Sequence, residues 1–160
     1  MITVVTSSLD ETLRFGAALG AHLRGGEVLE LDSDVGGGKT AFVKGLARGL
    51  AIDEVVQSPT FTISRLYHAR DGLELHHFDF YRLPEAGVVA AELAESLQQP
   101  HAIVAVEWGD VVHDVLPEVR MTVRISATTE TARRFTISLP KTYEYLLDTL
   151  NEWAHPRRLA

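Results

Sequence analysis

The sequence predicts an α/β layered domain, with a mixed central β-sheet flanked by helices. Three observations predict it. Apolar segments with helical period alternate along the chain with short apolar strands. The strand at 102–106 is apolar at every position, as a strand covered on both faces requires. Two pairs of alternating segments are separated by short turn-forming stretches, which adds hairpins to the helix–strand alternation. The chain has 160 residues, 46% of them hydrophobic, enough for one sizeable core. One domain is expected over 1–154, with a loose tail at 155–160.

Each element has a local reason. A first helix is expected over 9–24, where Phe15, Ala18, Leu19 and Leu23 recur at helical spacing and Ser8 or Asp10 caps the start. Gly16 and Gly20 lower its propensity, but they share a neighbouring face and permit close packing. Gly25-Gly26 is expected to end it. A strand at 27–31, a glycine-rich loop and a helix over 39–50 follow. Strands at 60–68 and 73–80 flank turn chemistry at 69–72 and read as a hairpin. Pro84 opens a helix running to Leu97. After the apolar strand, alternating segments at 119–126 and 134–139 read as a second hairpin. A last helix is expected over 142–153.

Composition excludes several classes of function. There are 15 basic and 22 acidic residues, a net charge of −7, and only three lysines: Lys39, Lys44 and Lys141. An acidic chain lacks the clustered cations that coating nucleic acid requires. With no cysteine, disulfides, Fe–S clusters, Cys-ligated zinc and thiol catalysis are excluded. No apolar run approaches the roughly 20 residues of a membrane span. The start lacks a basic region followed by an apolar stretch, so no signal peptide is expected, and a cytoplasmic protein is the default reading.

The segment Ser33-Asp-Val-Gly-Gly-Gly-Lys-Thr40 follows a strand and opens a helix, the context of a phosphate-binding P-loop. Glycines let backbone N–H groups converge on phosphate oxygens, and the helix N-terminus adds partial positive charge. Lys39 is placed to reach the β/γ-phosphates and the Thr40 hydroxyl to bind Mg²⁺. The fold class sharpens to a P-loop NTPase-like domain. Ser33 stands where the pattern has its first glycine; it is expected to weaken or reshape nucleotide binding, with Gly36 and Gly37 supplying compensating freedom.

Two carboxylates lie at expected strand ends. Asp79, in Leu75-His-His-Phe-Asp-Phe-Tyr-Arg82, is positioned to hold Mg²⁺ or its water shell. Glu107, directly after the apolar run, must sit at the ligand-binding edge of the sheet or be buried at a cost. Either can orient an attacking water; otherwise each is a strand-end acid in surface or capping contacts. On a strand His77 and Asp79 share a face and His76 points away, too few ligands for zinc, so His77 reads as structural or supporting. Arg82 reads equally as a phosphate contact or a surface ion pair, Arg133 and Arg134 as surface pairs, and Trp108 as core. The hydroxyls around Pro59 in Gln57-Ser-Pro-Thr-Phe-Thr62 suit either a γ-phosphate-sensing switch or a rigid entry to a strand.

Taken in order, these pieces resemble the bacterial TsaE (YjeE) proteins, small P-loop ATPases of tRNA threonylcarbamoyladenosine synthesis. The resemblance covers roughly 5–140. It is carried by Asp10-Glu-Thr12, Asp34-Val-Gly-Gly-Gly-Lys-Thr40, Ser58-Pro-Thr-Phe-Thr62, His77-Phe-Asp-Phe-Tyr-Arg-Leu83 and Val106-Glu-Trp-Gly-Asp110. It implies that ATP is held by Thr12, Val35, Gly36, Gly37, Gly38, Lys39 and Thr40. It further implies Mg²⁺ at Thr40, Asp79 and Glu107, with Lys39, Asp79 and Glu107 as the catalytic set and Trp108 beside the site. The segment 58–62 corresponds to the family's switch. TsaB and TsaD are the implied partners; with TsaC they modify adenosine 37 of certain tRNAs, so tRNA is met only indirectly. A small-molecule P-loop kinase is the rival reading. A GTPase lacks support because the Asn-Lys-x-Asp segment is absent, and a non-enzymatic assembly subunit is the third alternative.

Overall fold

The computed structural model describes residues 1–34, 36–57, 63–81, 83 and 87–155. Among them lie seven strands: β1 (Ile2–Thr6), β2 (Val28–Ser33), β3 (Ser64–His68), β4 (Glu74–Asp79), β5 (Ala102–Glu107), β6 (Met121–Ala127) and β7 (Arg133–Ser138). Four helices accompany them: α1 (Leu9–Gly20), α2 (Lys39–Gly49), α3 (Val88–Leu97) and α4 (Leu147–Ala154). The strands form one mixed sheet in the order β1-β7-β6-β2-β5-β4-β3. The centre is parallel, with β2 between β5 and β6 and β4 beside β5. Both predicted hairpins are present as antiparallel pairs, β3 with β4 and β6 with β7.

The period-2 pattern of the strands divides the core into two clusters. Leu29, Leu31, Leu75, Ile103, Val123 and Phe135 face α1, α2 and α4; Val28, Phe78, Val104 and Val106 face α3. Phe15, Phe42 and Phe135 form an aromatic triangle with centroids 5.7, 5.0 and 5.4 Å apart. The glycine expectation for α1 agrees with the packing. A Cβ on Gly16 would stand 2.7 Å from the Phe42 carbonyl oxygen, and one on Gly20 would stand 2.3 Å from that of Leu46. Gly45 and Gly49 of α2 answer from the other side, so the two helices meet backbone to backbone.

Three expectations need correction. The first helix stops at Gly20, not 24, and a distant residue holds the carbonyls at and just beyond its end. Arg70, in the 3-10 turn Arg70–Gly72, donates through Nη2 to the carbonyls of Gly20, Ala21 and Leu23 at 3.2, 2.9 and 3.0 Å. Gly25 and Gly26, at φ +102° and +88°, form the turn into β2 instead of ending α1. The expected last helix splits into a 3-10 segment, Lys141–Leu146, and α4, with Tyr143 drawn inward to accept a hydrogen bond from the Val28 N–H at 3.0 Å. The edge strand β1, paired only with β7, has no counterpart among the expected elements. Pro84 lies outside the described residues. No described helix is long and apolar enough to cross a membrane.

Candidate functional site

Parallel strands end together, and the site is built where they do. On β2 the face that carries Leu29 and Leu31 next carries Ser33. On β4 the face of Leu75 next carries His77 and Asp79, and on β5 the face of Ile103 and Ala105 next carries Glu107. The register sets Glu107 opposite both Leu31 and Asp79. Three polar strand ends thus meet beneath the start of α2, and Ser33, His77, Asp79 and Glu107 are all buried.

The glycine loop leads into α2 through Gly36 at φ +78° and Gly38 at φ +107°, conformations that disfavour a side chain. Gly38 is the N-cap, so no side-chain cap occupies the helix start, and the first turn carries no acid. The N–H groups there remain available to an anion. Ser33 has a structural answer in Gly37: a Cβ on Gly37 would stand 2.5 Å from Ser33 Oγ, and Ser33 Oγ donates to the Asp34 carbonyl at 2.9 Å. The serine therefore fills space that the neighbouring glycine leaves open.

Lys39 is folded back over this floor. Its Nζ donates to the Ser33 carbonyl at 3.2 Å and lies 4.0 Å from the centroid of the Trp108 ring. Burial pushes the ammonium below its ordinary pKa, while Glu107, Asp79, Asp32 and Asp34 push it back up. Burial is also the main cause that raises Asp79. The Tyr81 N–H, bound to its Oδ1 at 3.0 Å, opposes the rise, nearby Glu107 adds to it, and His77 and Lys39 oppose it. Glu107 Oε2 accepts from His77 Nε2 at 3.0 Å. Trp108 takes the left-handed conformation at φ +57°, a strained position for a large side chain, and its ring packs 4.9 Å from that of Tyr81.

The expected residues fall into distinct groups. Lys39, Asp79 and Glu107 converge, and Trp108 belongs to the site as well as to the core. Thr40 follows Lys39 in the first turn of α2, half-buried. Thr12 pairs with Thr6 hydroxyl to hydroxyl at 2.7 Å and borders a cavity of about 220 Å³ with Leu9, Gly38, Ala41, Glu130 and Arg133. Arg133, read from sequence as a surface residue, has its Nε 3.2 Å from where a Gly38 Cβ would stand. Arg134 is exposed. Val35, Arg82 and the segment 58–62 lie outside the described residues. His76 faces the other side of the sheet, bonded to Ser96 and Glu74 at 2.7 Å each. Sequence reasoning missed Thr6 and Tyr81. The alternation Ile2, Val4, Thr6 could have found the first; the second follows Asp79 by only two residues.

Among the described residues no group of three or more His, Asp or Glu is arranged to hold a metal alone. Two carboxylates beside a lysine and a helix start instead suit Mg²⁺, which takes one or two protein carboxylates and completes its shell from phosphates and water. The buried acids, the cationic Lys39 and the uncapped loop fit a Mg–nucleotide.

The family model for threonylcarbamoyl adenosine biosynthesis protein TsaE matches residues 6–135. The chain is 37% identical over 134 residues to the tRNA threonylcarbamoyladenosine biosynthesis protein TsaE of Treponema pallidum, covering 84% of this chain and 98% of that protein. It is 34% identical over 149 residues to the protein of that name from Bacillus subtilis, covering 91% of each. The crystal structure of Bacillus subtilis YdiB superposes with a TM-score of 0.74 at 31% identity, covering 95% of this chain and 97% of that one.

Proposed function

This chain belongs to the TsaE family, and on that premise we propose that it hydrolyses Mg–ATP to drive or reset a TsaB–TsaD complex in bacterial tRNA threonylcarbamoyladenosine (t6A37) synthesis. The observation that carries the reading is the convergence of Lys39, Asp79 and Glu107 at the carboxyl ends of parallel strands, beneath an uncapped glycine-rich helix start.

Each residue has a separable task. The backbone N–H groups of 38–40 receive phosphate oxygens, while that of Gly37 donates to the Asp34 carbonyl. Lys39 exchanges its Ser33 and Trp108 contacts for the β/γ-phosphates. Thr40, Asp79 and Glu107 hold the metal, which when bound neutralises charge accumulating on the phosphates. Asp79 or Glu107 orients the attacking water. Thr12, with the cavity beside Gly38 and Arg133, accommodates the rest of the nucleotide. Slow turnover of the chain without partners follows from the same physics: phosphoryl transfer depends on positioned charge, and one missing contact idles the site.

The test is threonylcarbamoylation of tRNA reconstituted from TsaB, TsaC and TsaD, with and without this chain, with phosphate release followed in parallel. Modification and ATP turnover that both depend on this chain support the proposal. Rapid partner-free phosphorylation of a metabolite would assign a kinase instead, and modification unaffected by Lys39→Ala would make the chain a non-enzymatic subunit.

A further inference from the structure

We propose that His77 is a positioning residue that fixes the Glu107 carboxylate in the orientation the metal requires. The proposal deepens the ATPase reading and rests on it.

His77 is fully buried and Glu107 nearly so, at 0% and 2% exposure. In the β4–β5 register His77 stands opposite Ala105, and Glu107 lies two residues further along the same face. The small Ala105 side chain leaves the diagonal path between them open. Nε2 of His77 meets Glu107 Oε2 at 3.0 Å. A carboxylate only accepts, so Nε2 carries the hydrogen.

The other ring nitrogen makes no competing bond. Nδ1 of His77 is buried and has no hydrogen-bond partner among the described residues. With Nδ1 unpartnered, the bond to Glu107 is the one hydrogen bond that orients the ring among the described residues. Metal-ligating carboxylates are themselves held by hydrogen-bonded neighbours, and removing such a neighbour typically costs about 10- to 100-fold in metal affinity or activity.

The experiment compares the wild type, His77→Leu, His77→Gln, Glu107→Gln and the double variant His77→Leu with Glu107→Gln. Calorimetric Mg²⁺ titration of the ATP-bound chain gives metal affinity, turnover with TsaB and TsaD gives kcat and KM, and melting temperature reports folding. His77→Leu is expected to lower Mg²⁺ affinity and kcat by about 10- to 100-fold, with metal-free ATP affinity and KM little changed. His77→Gln, whose amide N–H reaches the same oxygen, recovers most of the loss. In the Glu107→Gln background His77→Leu adds little. A folded His77→Leu protein with wild-type Mg²⁺ affinity and kcat overturns the proposal, as does His77→Gln behaving like His77→Leu. Imidazole ¹⁵N spectra of the wild type decide even if His77→Leu folds poorly. An Nε2–H tautomer whose signal moves in Glu107→Gln supports the role; an Nδ1–H tautomer, or a signal indifferent to Glu107→Gln, overturns it. A wild-type chain that neither binds nor turns over Mg–ATP defeats the underlying ATPase reading instead.

Discussion

Lys39 Nζ rests 4.0 Å from the centre of the Trp108 ring while donating to the carbonyl of Ser33. The cation is held by a π-face and a backbone dipole, contacts weaker than those a triphosphate offers. Lys39→Met keeps the aliphatic stem and loses the charge. ATP turnover with partners is expected to fall at least about 100-fold, with the fold retained by circular dichroism. Trp108 emission, read in a Trp153→Phe background, should shift in that variant as the charge leaves the ring.

Gly49 and Ala17 define how closely α1 and α2 pack. A Cβ on Gly49 would stand 2.2 Å from the Ala17 carbonyl oxygen, a backbone atom that cannot swing aside. Gly49→Ala gains about 1 kcal/mol of helix propensity but must push the helices apart. A net loss of about 1–3 kcal/mol is expected from such overpacking, measured by urea unfolding.

Arg70 ties the ends of α1 and α2 to one turn. Its side chain serves three carbonyls at the end of α1, and its backbone N–H donates to the Leu50 carbonyl just past α2 at 2.9 Å. Arg70→Ala leaves the Ala21 and Leu23 carbonyls to water, while that of Gly20 keeps its bond from the Leu23 N–H. A loss of about 1–2 kcal/mol is expected. Faster amide exchange at Ala21 and His22 should accompany it, read by hydrogen-exchange NMR.

Asp79 is predicted to be a site where stability is given up for function. Burial raises its folded-state pKa above the ordinary 3.8. Between those pKa values the folded state binds more protons than the unfolded one, so this group's contribution to stability declines as pH rises through that window. Above it the cost is fully present. Asp79→Asn, which keeps the Oδ1 acceptor for the Tyr81 N–H, should therefore melt higher than wild type at neutral pH. The advantage should shrink as pH falls through the raised pKa and Asp79 itself becomes neutral. Thermal melts across pH give both curves, and Mg²⁺-dependent ATP binding by the variant should be lost.

Much of the fold was legible because its signals are local. The glycine triplet before Lys39, the apolar run of β5 and the alternating hairpins all lie within short windows. What escaped depends on distant partners. The end of α1 is held by Arg70, 47 to 50 residues away from the carbonyls it caps. Among the described residues β1 pairs only with β7. At the site, sequence placed Asp79 and Glu107 at strand ends but not opposite each other, because that register is closed through the crossover containing α3. The His77–Glu107 bond depends on the same register, and so could not be read from either strand alone.

The pairing of β1 with β7 also orders events during synthesis. β1 can form its ladder only once residues 133–138 have left the ribosome. Thr6, the partner of Thr12, is registered against Arg133, the neighbour of Gly38. The glycine loop and both carboxylates lie within residues 27–107, but the Thr12 side also needs β7. A nascent chain stalled before residue 133 lacks Arg133 and the β1–β7 ladder, and with them the wall beside Gly38.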